Sequence, residues 1–157
     1  MILGVLSDTH GVLLPEVIEA FAGVDLVLHA GDVGAVSVLR RLEKVAPVKA
    51  VYGNVDGRGL REELPQVVEA NADGLVIVVT HGDQFGYPGP RQLREAFPHA
   101  DVLVYGHTHR PVVSETDGAA LVLNPGSAGP LPNRATVAIL ETAPGSPPKG
   151  RIVPLAE

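Results

Sequence analysis

Seven side chains of metal-ligand type fall in five short polar clusters along the chain: Asp8-Thr9-His10-Gly11, Gly31-Asp32, Gly53-Asn54-Val55-Asp56, His81-Gly82-Asp83 and Gly106-His107-Thr108-His109. The ligand set is Asp8, His10, Asp32, Asn54, His81, His107 and His109, and it takes four of the six histidines. Imidazole mixed with carboxylate and amide oxygen suits Mn, Fe, Co, Ni or Zn better than Ca or Mg. Seven donors are too many for one tetrahedral ion, but they suit two divalent ions that share a bridging carboxylate. A glycine adjoins most clusters, as a crowded polar site with close backbone approaches requires. The pairs Asp8/His10 and His107/His109 skip one residue each, so an extended backbone is expected there to turn both members to one face.

Each cluster comes at the end of an apolar run. Ile2–Ser7, Asp25–Ala30 and Val48–Tyr52 read as buried strands, separated by helices whose apolar positions are Leu14, Val17, Ile18 and Phe21, and then Val38, Leu42 and Val45. Strands alternating with helices imply right-handed βαβ units and a parallel sheet. Further along, 66–70 and 75–80 flank the turn signal Asn71-Ala72-Asp73-Gly74, and 111–116 and 119–123 meet at Asp117-Gly118, so two hairpins are expected. A short helix over 91–97, a strand over 101–105, and strands over 135–141 and 151–155 complete the pattern. Nine or ten strands with three helices are too many for one modest open sheet. Two stacked sheets with outer helices are predicted: an α/β sandwich forming a single domain over 1–157. The carboxyl ends of its parallel strands share one edge, where ligands bind.

Composition removes other classes. Of 157 residues, 45% are hydrophobic and 19% charged, which indicates a packed core. The chain has no cysteine, which excludes disulfides and thiolate chemistry. A net charge of −6 runs against nucleic-acid binding driven by charge. No apolar run approaches the roughly 18 residues of a membrane span, and the first residues do not read as a secretory signal. A cytoplasmic protein is expected. A (β/α)₈ barrel would need about 250 residues.

The ordered series D-x-H, G-D, G-N-x-D, H-G and G-H-x-H resembles that of the calcineurin-like metallophosphoesterases. The strings SDTHG, HAGDVG, VYGNVDG and YGHTHRP, followed by LNPGS, are similar to the compact bacterial and archaeal phosphodiesterase branch. The resemblance covers 2–130. It implies a four-layer αββα sandwich of two mixed β-sheets flanked by helices. It further implies one ion on Asp8, His10, Asp32 and His109 and a second on Asp32, Asn54, His81 and His107, with Asp32 bridging. Mn²⁺ is first among the candidate ions, with Ni²⁺, Fe²⁺, Co²⁺ or Zn²⁺ as alternatives. The implied reaction is in-line attack of a metal-bound water or hydroxide on phosphorus, with Asn54, Asp32 and His107 as catalytic positions and no protein nucleophile. The implied partner is a small phosphoester substrate, and a homo-oligomer is compatible with the sequence. Many members carry a histidine at the position of Val55 and an aspartate at that of Ala35, a pair read as protonating the leaving group. Both are missing here. Two divalent ions, two carboxylates and a hydroxide leave a charge near +1, which balances a phosphodiester better than a monoester. A monoesterase on the same site and a non-catalytic scaffold of the same fold are the alternatives.

The remaining polar residues have plainer expected roles. His29 is read as a hydrogen-bonded core residue behind the ligands and His99 as solvated. Asp56 and Asp83 are read as backbone caps, and Thr9 and Thr108 as spacers pointing away from the ions. Asn124-Pro125-Gly126-Ser127 is a turn that the resemblance sets near the site's rim. Arg110 and Arg134, the latter in Leu131-Pro132-Asn133-Arg134, are surface positions able to reach a phosphate, and Phe85 and Tyr87 are candidates to line the cleft.

Overall fold

The structure, a computed structural model, describes residues 1–130 and 134–155. The first sheet has the order β10-β9-β1-β2-β3. Its β1 (Ile2–Leu6), β2 (Leu26–His29) and β3 (Val48–Ala50) run parallel, while β9 (Thr136–Glu141) pairs antiparallel with β1 and β10 (Lys149–Pro154) antiparallel with β9. The second sheet has the order β4-β5-β6-β8-β7. In it β5 (Leu75–Thr80), β6 (Val102–Val104) and β8 (Leu121–Asn124) are parallel, with β4 (Val67–Ala72) and β7 (Val112–Ser114) antiparallel at the edges. Both sheets are therefore mixed.

Alternation along the strands sorts side chains into layers. Leu3, Val5 and Leu28 of the first sheet meet Ile77, Val79, Val102, Val104, Leu121 and Leu123 of the second in one buried cluster. On the outer face of the first sheet, Leu6, Val27, Val137 and Ile139 pack on Val17 and Phe21 and on Val38, Leu39 and Leu42. Those partners come from α1 (Pro15–Ala20) and α2 (Val36–Leu42), each followed by its own terminal turn. On the outer face of the second sheet, Val78, Leu103 and Val122 pack on Leu93 of α4 (Pro90–Ala96). The predicted four-layer αββα sandwich is the observed architecture.

Three local expectations change. The connection between β7 and β8 is not a two-residue turn: Ser114 pairs with Val122, so the loop runs over 115–120 and Asp117-Gly118 is only its tip. In the β4–β5 hairpin the turn is Asp73-Gly74 alone, because Asn71 and Ala72 are already paired with Val76 and Leu75. A fourth helix, α3 (Arg58–Glu63), was not expected. It buries only Leu60, so it carries no apolar period to read.

The registers set the site. Leu6 pairs with His29 and His29 with Ala50, so residues 7–8, 30–32 and 51–54 leave the first sheet at one level. In the second sheet Val79, Val104 and Leu123 are aligned, which brings His81, Gly106 and Asn124 to the corresponding edge.

Candidate metal centre

Five of the seven candidate ligands, Asp8 (φ 57°), His10 (49°), Asp32 (52°), His107 (68°) and His109 (60°), have left-handed backbone. Among the described non-glycine residues only Asp73 joins them. The extended backbone expected for the two alternating pairs is thus corrected: the chain bends sharply at both members of each pair. Such conformations cost on the order of 1–3 kcal/mol each and persist where their surroundings over-determine them. Here hydrogen bonds continue past the strand ends, from Asp8 N to Gly31 O, His10 N to Asp32 O and Gly11 N to Val33 O, and Gly106 N binds His81 O. Among the described non-glycine residues, left-handed backbone is concentrated on the candidate ligands.

The Asp8 side chain is fully buried at the centre. Its Oδ1 lies 3.1 Å from His109 Nε2, 3.8 Å from His10 Nε2 and 3.9 Å from His81 Nε2. Its Oδ2 accepts from Ser7 Oγ at 2.5 Å and from the His107 backbone N–H at 3.2 Å. His81 Nδ1 is 2.7 Å from Ala30 O, which can only accept, so this nitrogen carries the proton. Its Nε2 then faces Asp32 Oδ2 at 3.2 Å, Asn54 Oδ1 at 3.1 Å and Asp8 Oδ1. A lone pair ringed by three oxygens calls for a cation, either a proton or a metal ion. The donor set therefore fits divalent transition metals. Donor atoms fall within 4.8 Å of one another in two overlapping groups, Asp8/His10/His109 and Asp8/Asp32/His81.

Proton affinities follow the same geometry. Burial opposes charge on His81, yet its contact with Asp32 and the nearby Asp8 outweigh this and raise its pKa. The Asp8 carboxylate likewise raises that of His109, against burial. Burial pushes the Asp32 carboxyl up, but His81, the Val55 N–H and His10 bring it below its ordinary value.

Of the predicted ligands, Asp8, His10, Asp32, His81 and His109 converge directly, and Asn54 joins them through His81. The carboxylate common to both groups is that of Asp8, while the resemblance gives the shared position to Asp32. The His107 ring meets the His81 ring edge-on, with centroids 5.1 Å apart, and lies under Tyr87. Two glycines let the backbones close in. A Cβ on Gly53 would sit 2.1 Å from Asp32 Oδ1, and one on Gly106 would sit 2.0 Å from Ser7 Oγ and 2.8 Å from Asp8 Oδ2.

A buried polar frame supports these loops. Asp56 accepts from the N–H groups of Val33, Gly34 and Gly53, tying the loop after β2 to the loop after β3, which is the capping role expected of it. Ser127 Oγ donates to Asp8 O, and Asn124 Nδ2 donates to Gly106 O and Thr108 Oγ1. The Asn124–Ser127 turn thus braces both alternating pairs from behind. Two contributors were missed from sequence. Ser7 lies directly before Asp8 in SDTHG, and a lone serine there carries no metal-ligand signal of its own. Arg61 sits on the unexpected α3, over the Tyr52 ring, and donates to the carbonyls of Asn54 and Asp56. Phe85 packs edge-on against Phe97, so of the two aromatics expected at the cleft only Tyr87 lies at its rim. His99 is exposed and bonds Glu69 at 2.6 Å. Arg110 and Arg134 are exposed, and Leu131-Pro132-Asn133 lies outside the described residues.

His29 is fully buried, and its Nδ1 accepts from Gly31 N. Its Nε2–H donates to Thr9 Oγ1, which donates to Val33 O. The Thr9 spacer points away from the ligand cluster, as expected. Burial lowers the His29 pKa from 6.5 to about 4 against the pull of Asp8 and Asp56. Between these values the unfolded chain binds a proton that the folded chain refuses, so stability decreases as pH is lowered through this window. The contribution is complete above pH 6.5 and, by the time pH reaches about 4, roughly 3 kcal/mol is lost. Chelator-treated protein and its His29→Gln variant, unfolded in denaturant across this range, should show that slope only with histidine present. Parallel curves would contradict the reading.

A family model for the calcineurin-like phosphoesterase superfamily domain matches residues 1–145. A probable metallophosphoesterase of Methanothermobacter thermautotrophicus is 40% identical over 134 residues, 81% of this chain and 77% of the relative. A phosphodiesterase of Methanocaldococcus jannaschii is 35% identical over 90% of this chain and 93% of its own length. Among solved structures, an archaeal phosphodiesterase superposes over 99% of this chain and all of its own, with TM-score 0.76 and 32% identity. A Vps29 from Entamoeba histolytica does so over 99% of this chain and all of its own, with TM-score 0.79 and 21% identity, a likeness of fold. With its strand-end ligand cluster and matching sequence, the chain belongs to the calcineurin-like phosphoesterase superfamily.

Proposed function

We propose that the protein is a phosphodiesterase that works with two divalent transition-metal ions, Mn²⁺ foremost. The observation that carries this is the pair of overlapping Asp/His groups joined at a buried carboxylate, with His81 Nε2 turned toward three oxygens. Asp8, His10, Asp32 and His109 would hold one ion and Asp32, Asn54, His81 and His107 the other. That Asp32 is drawn down by both His81 and His10 supports giving it the shared position. Bound there, the ions would supply Lewis-acid stabilisation of phosphoryl charge and a reactive water at neutral pH.

The chain's own groups orient the rest. Ala30 O fixes the tautomer of His81 and aims its Nε2 into the cluster. Ser7 and the His107 N–H hold Asp8 Oδ2, leaving Oδ1 to face the imidazoles. The Asn54 side chain lies beside His81 in a loop clamped by Arg61, and in this reading it would touch a phosphoryl oxygen. The near +1 balance of two ions, two carboxylates and a hydroxide favours a diester monoanion. No described helix is long and apolar enough to cross a membrane. The phosphodiesterase among the relatives supports a small phosphoester as the substrate.

The reading is tested by giving metal-stripped protein a bis-aryl phosphodiester and the matching aryl monoester during titration with Mn²⁺, Ni²⁺, Zn²⁺ and Mg²⁺. Metal-dependent turnover favouring the diester supports it, and a preference for the monoester points to the alternative phosphatase. The leaving-group position adds a second expectation. Val55 and Ala35 have hydrocarbon side chains, so neither can give a proton. General acids contribute about 10²–10⁴-fold, so turnover should fall at least ~10²-fold from nitrophenolate to alkoxide leaving groups. A flat dependence with chemistry rate-limiting would remove this part of the account.

A further inference from the structure

Tyr87 is 80% exposed, and it is the only exposed phenylalanine or tyrosine among the described residues. Its ring is nevertheless held: it stacks on His107 with centroids 4.7 Å apart and planes 22° apart. The His107 ring in turn meets His81 edge-on at 5.1 Å. The loop that carries Tyr87 is anchored on both sides. Phe85 packs against Phe97 on the outer face of the second sheet, and Pro88 is buried. One face of the tyrosine thus lies on a candidate metal ligand and the other faces water at the mouth of the site. Beyond His81 on the neighbouring loop, Val55, next to Asn54, is a further large exposed apolar side chain.

An exposed ring with two side-chain torsions, already oriented by a stacking partner, loses little freedom when it takes a second planar group on its open face. Offset stacking on such a platform is favourable for any flat π system, and it discriminates against alkyl groups of the same charge. We propose that Tyr87 is a specificity-determining residue that stacks a planar aromatic substituent of the phosphoester, an aryl ring or a nucleobase, beside the metal centre. This rests on the phosphodiesterase reading for the position of the phosphate. For an aryl ester it also agrees with the missing leaving-group acid, since a phenol leaves without one, whereas a nucleoside would leave as an alkoxide.

The test uses Mn²⁺-loaded protein and three phosphate-headed probes, phenylphosphonate, methylphosphonate and adenosine monophosphate, with binding measured by calorimetry. Wild-type protein should bind phenylphosphonate about tenfold more tightly than methylphosphonate. Tyr87→Ala should bring that ratio close to one without weakening methylphosphonate, and Tyr87→Phe should keep it. A larger loss for adenosine monophosphate than for phenylphosphonate in Tyr87→Ala identifies a nucleobase, and the reverse order identifies a simple aryl group. An unchanged ratio in Tyr87→Ala overturns the proposal. So does an equal weakening of both phosphonates, which would make Tyr87 only a support for His107. Tyr87-dependent binding without any diester hydrolysis would leave the platform standing and defeat the reaction assigned above. Hydrolysis with a Tyr87-independent ratio would do the opposite.

Discussion

Asp8→Asn should lose bound metal and reduce phosphodiester hydrolysis by at least ~10³-fold, the equivalent of several kcal/mol of transition-state charge stabilisation. The substitution keeps shape and removes charge. Asp8 is the carboxylate that falls in both donor groups, and three imidazole nitrogens surround its Oδ1 within 3.9 Å. An amide there offers one neutral oxygen, and its nitrogen donors would oppose a cation. The strain stored in left-handed backbone at Asp8, His10, His107 and His109 serves this constellation. The fold does not depend on the charge, because the apolar layers lie between the sheets and under the helices. Chelator-treated Asp8→Asn should accordingly melt within a few degrees of chelator-treated wild type. Metal content by elemental analysis, with rate and melting, checks all three. Near-normal metal content in the variant would contradict the placement of Asp8 at the centre.

The second large effect comes from adding a single methyl group. Gly53→Ala and Gly106→Ala should each lower metal affinity about 10–100-fold and destabilise the protein by ~1–3 kcal/mol. Neither glycine has positive φ, so alanine's backbone preferences are not the cause. The added Cβ would meet Asp32 Oδ1 at 2.1 Å in one case and Ser7 Oγ at 2.0 Å in the other, and one of each pair must move. Gly59→Ala is the control. It lies in α3 with nothing within 4 Å of the new Cβ, and it should stabilise by about 0.5–1 kcal/mol. Metal titration and denaturant unfolding of the three variants separate the cases. Equal behaviour of Gly53→Ala and Gly59→Ala would show that the loops have room to spare.

Local sequence made much of this legible. The apolar runs ending in SDTH, HAGD and YGN are strands whose carboxyl ends emerge at one level, because parallel registers align Leu6, His29 and Ala50. The candidate ligands were readable because Asp, His and Asn recur at those strand ends. What stayed hidden depends on contacts between residues far apart in sequence. Asp8 meets His109 across 101 residues, and no spacing rule shows that its carboxylate, rather than that of Asp32, falls in both donor groups. The alternating pairs suggested extended chain, yet hydrogen bonds from neighbouring loops hold them in left-handed turns. Helix α3 escaped notice because it has one buried residue, and Arg61 escaped with it. Phe85 and Tyr87 stand two apart and looked alike. Packing against Phe97 takes the first inward and leaves the second over His107.

The central claim is that two ions sit side by side among these seven residues, and counting them tests it most directly. Metal-stripped protein would be titrated with Mn²⁺, the bound ions per chain measured, and their positions read by anomalous diffraction. Two ions per chain are predicted, one beside Asp8, His10 and His109 and the other beside Asp32, Asn54 and His81, with hydrolysis following the second. A single ion supporting full activity, or ions bound away from this cluster, would contradict the account.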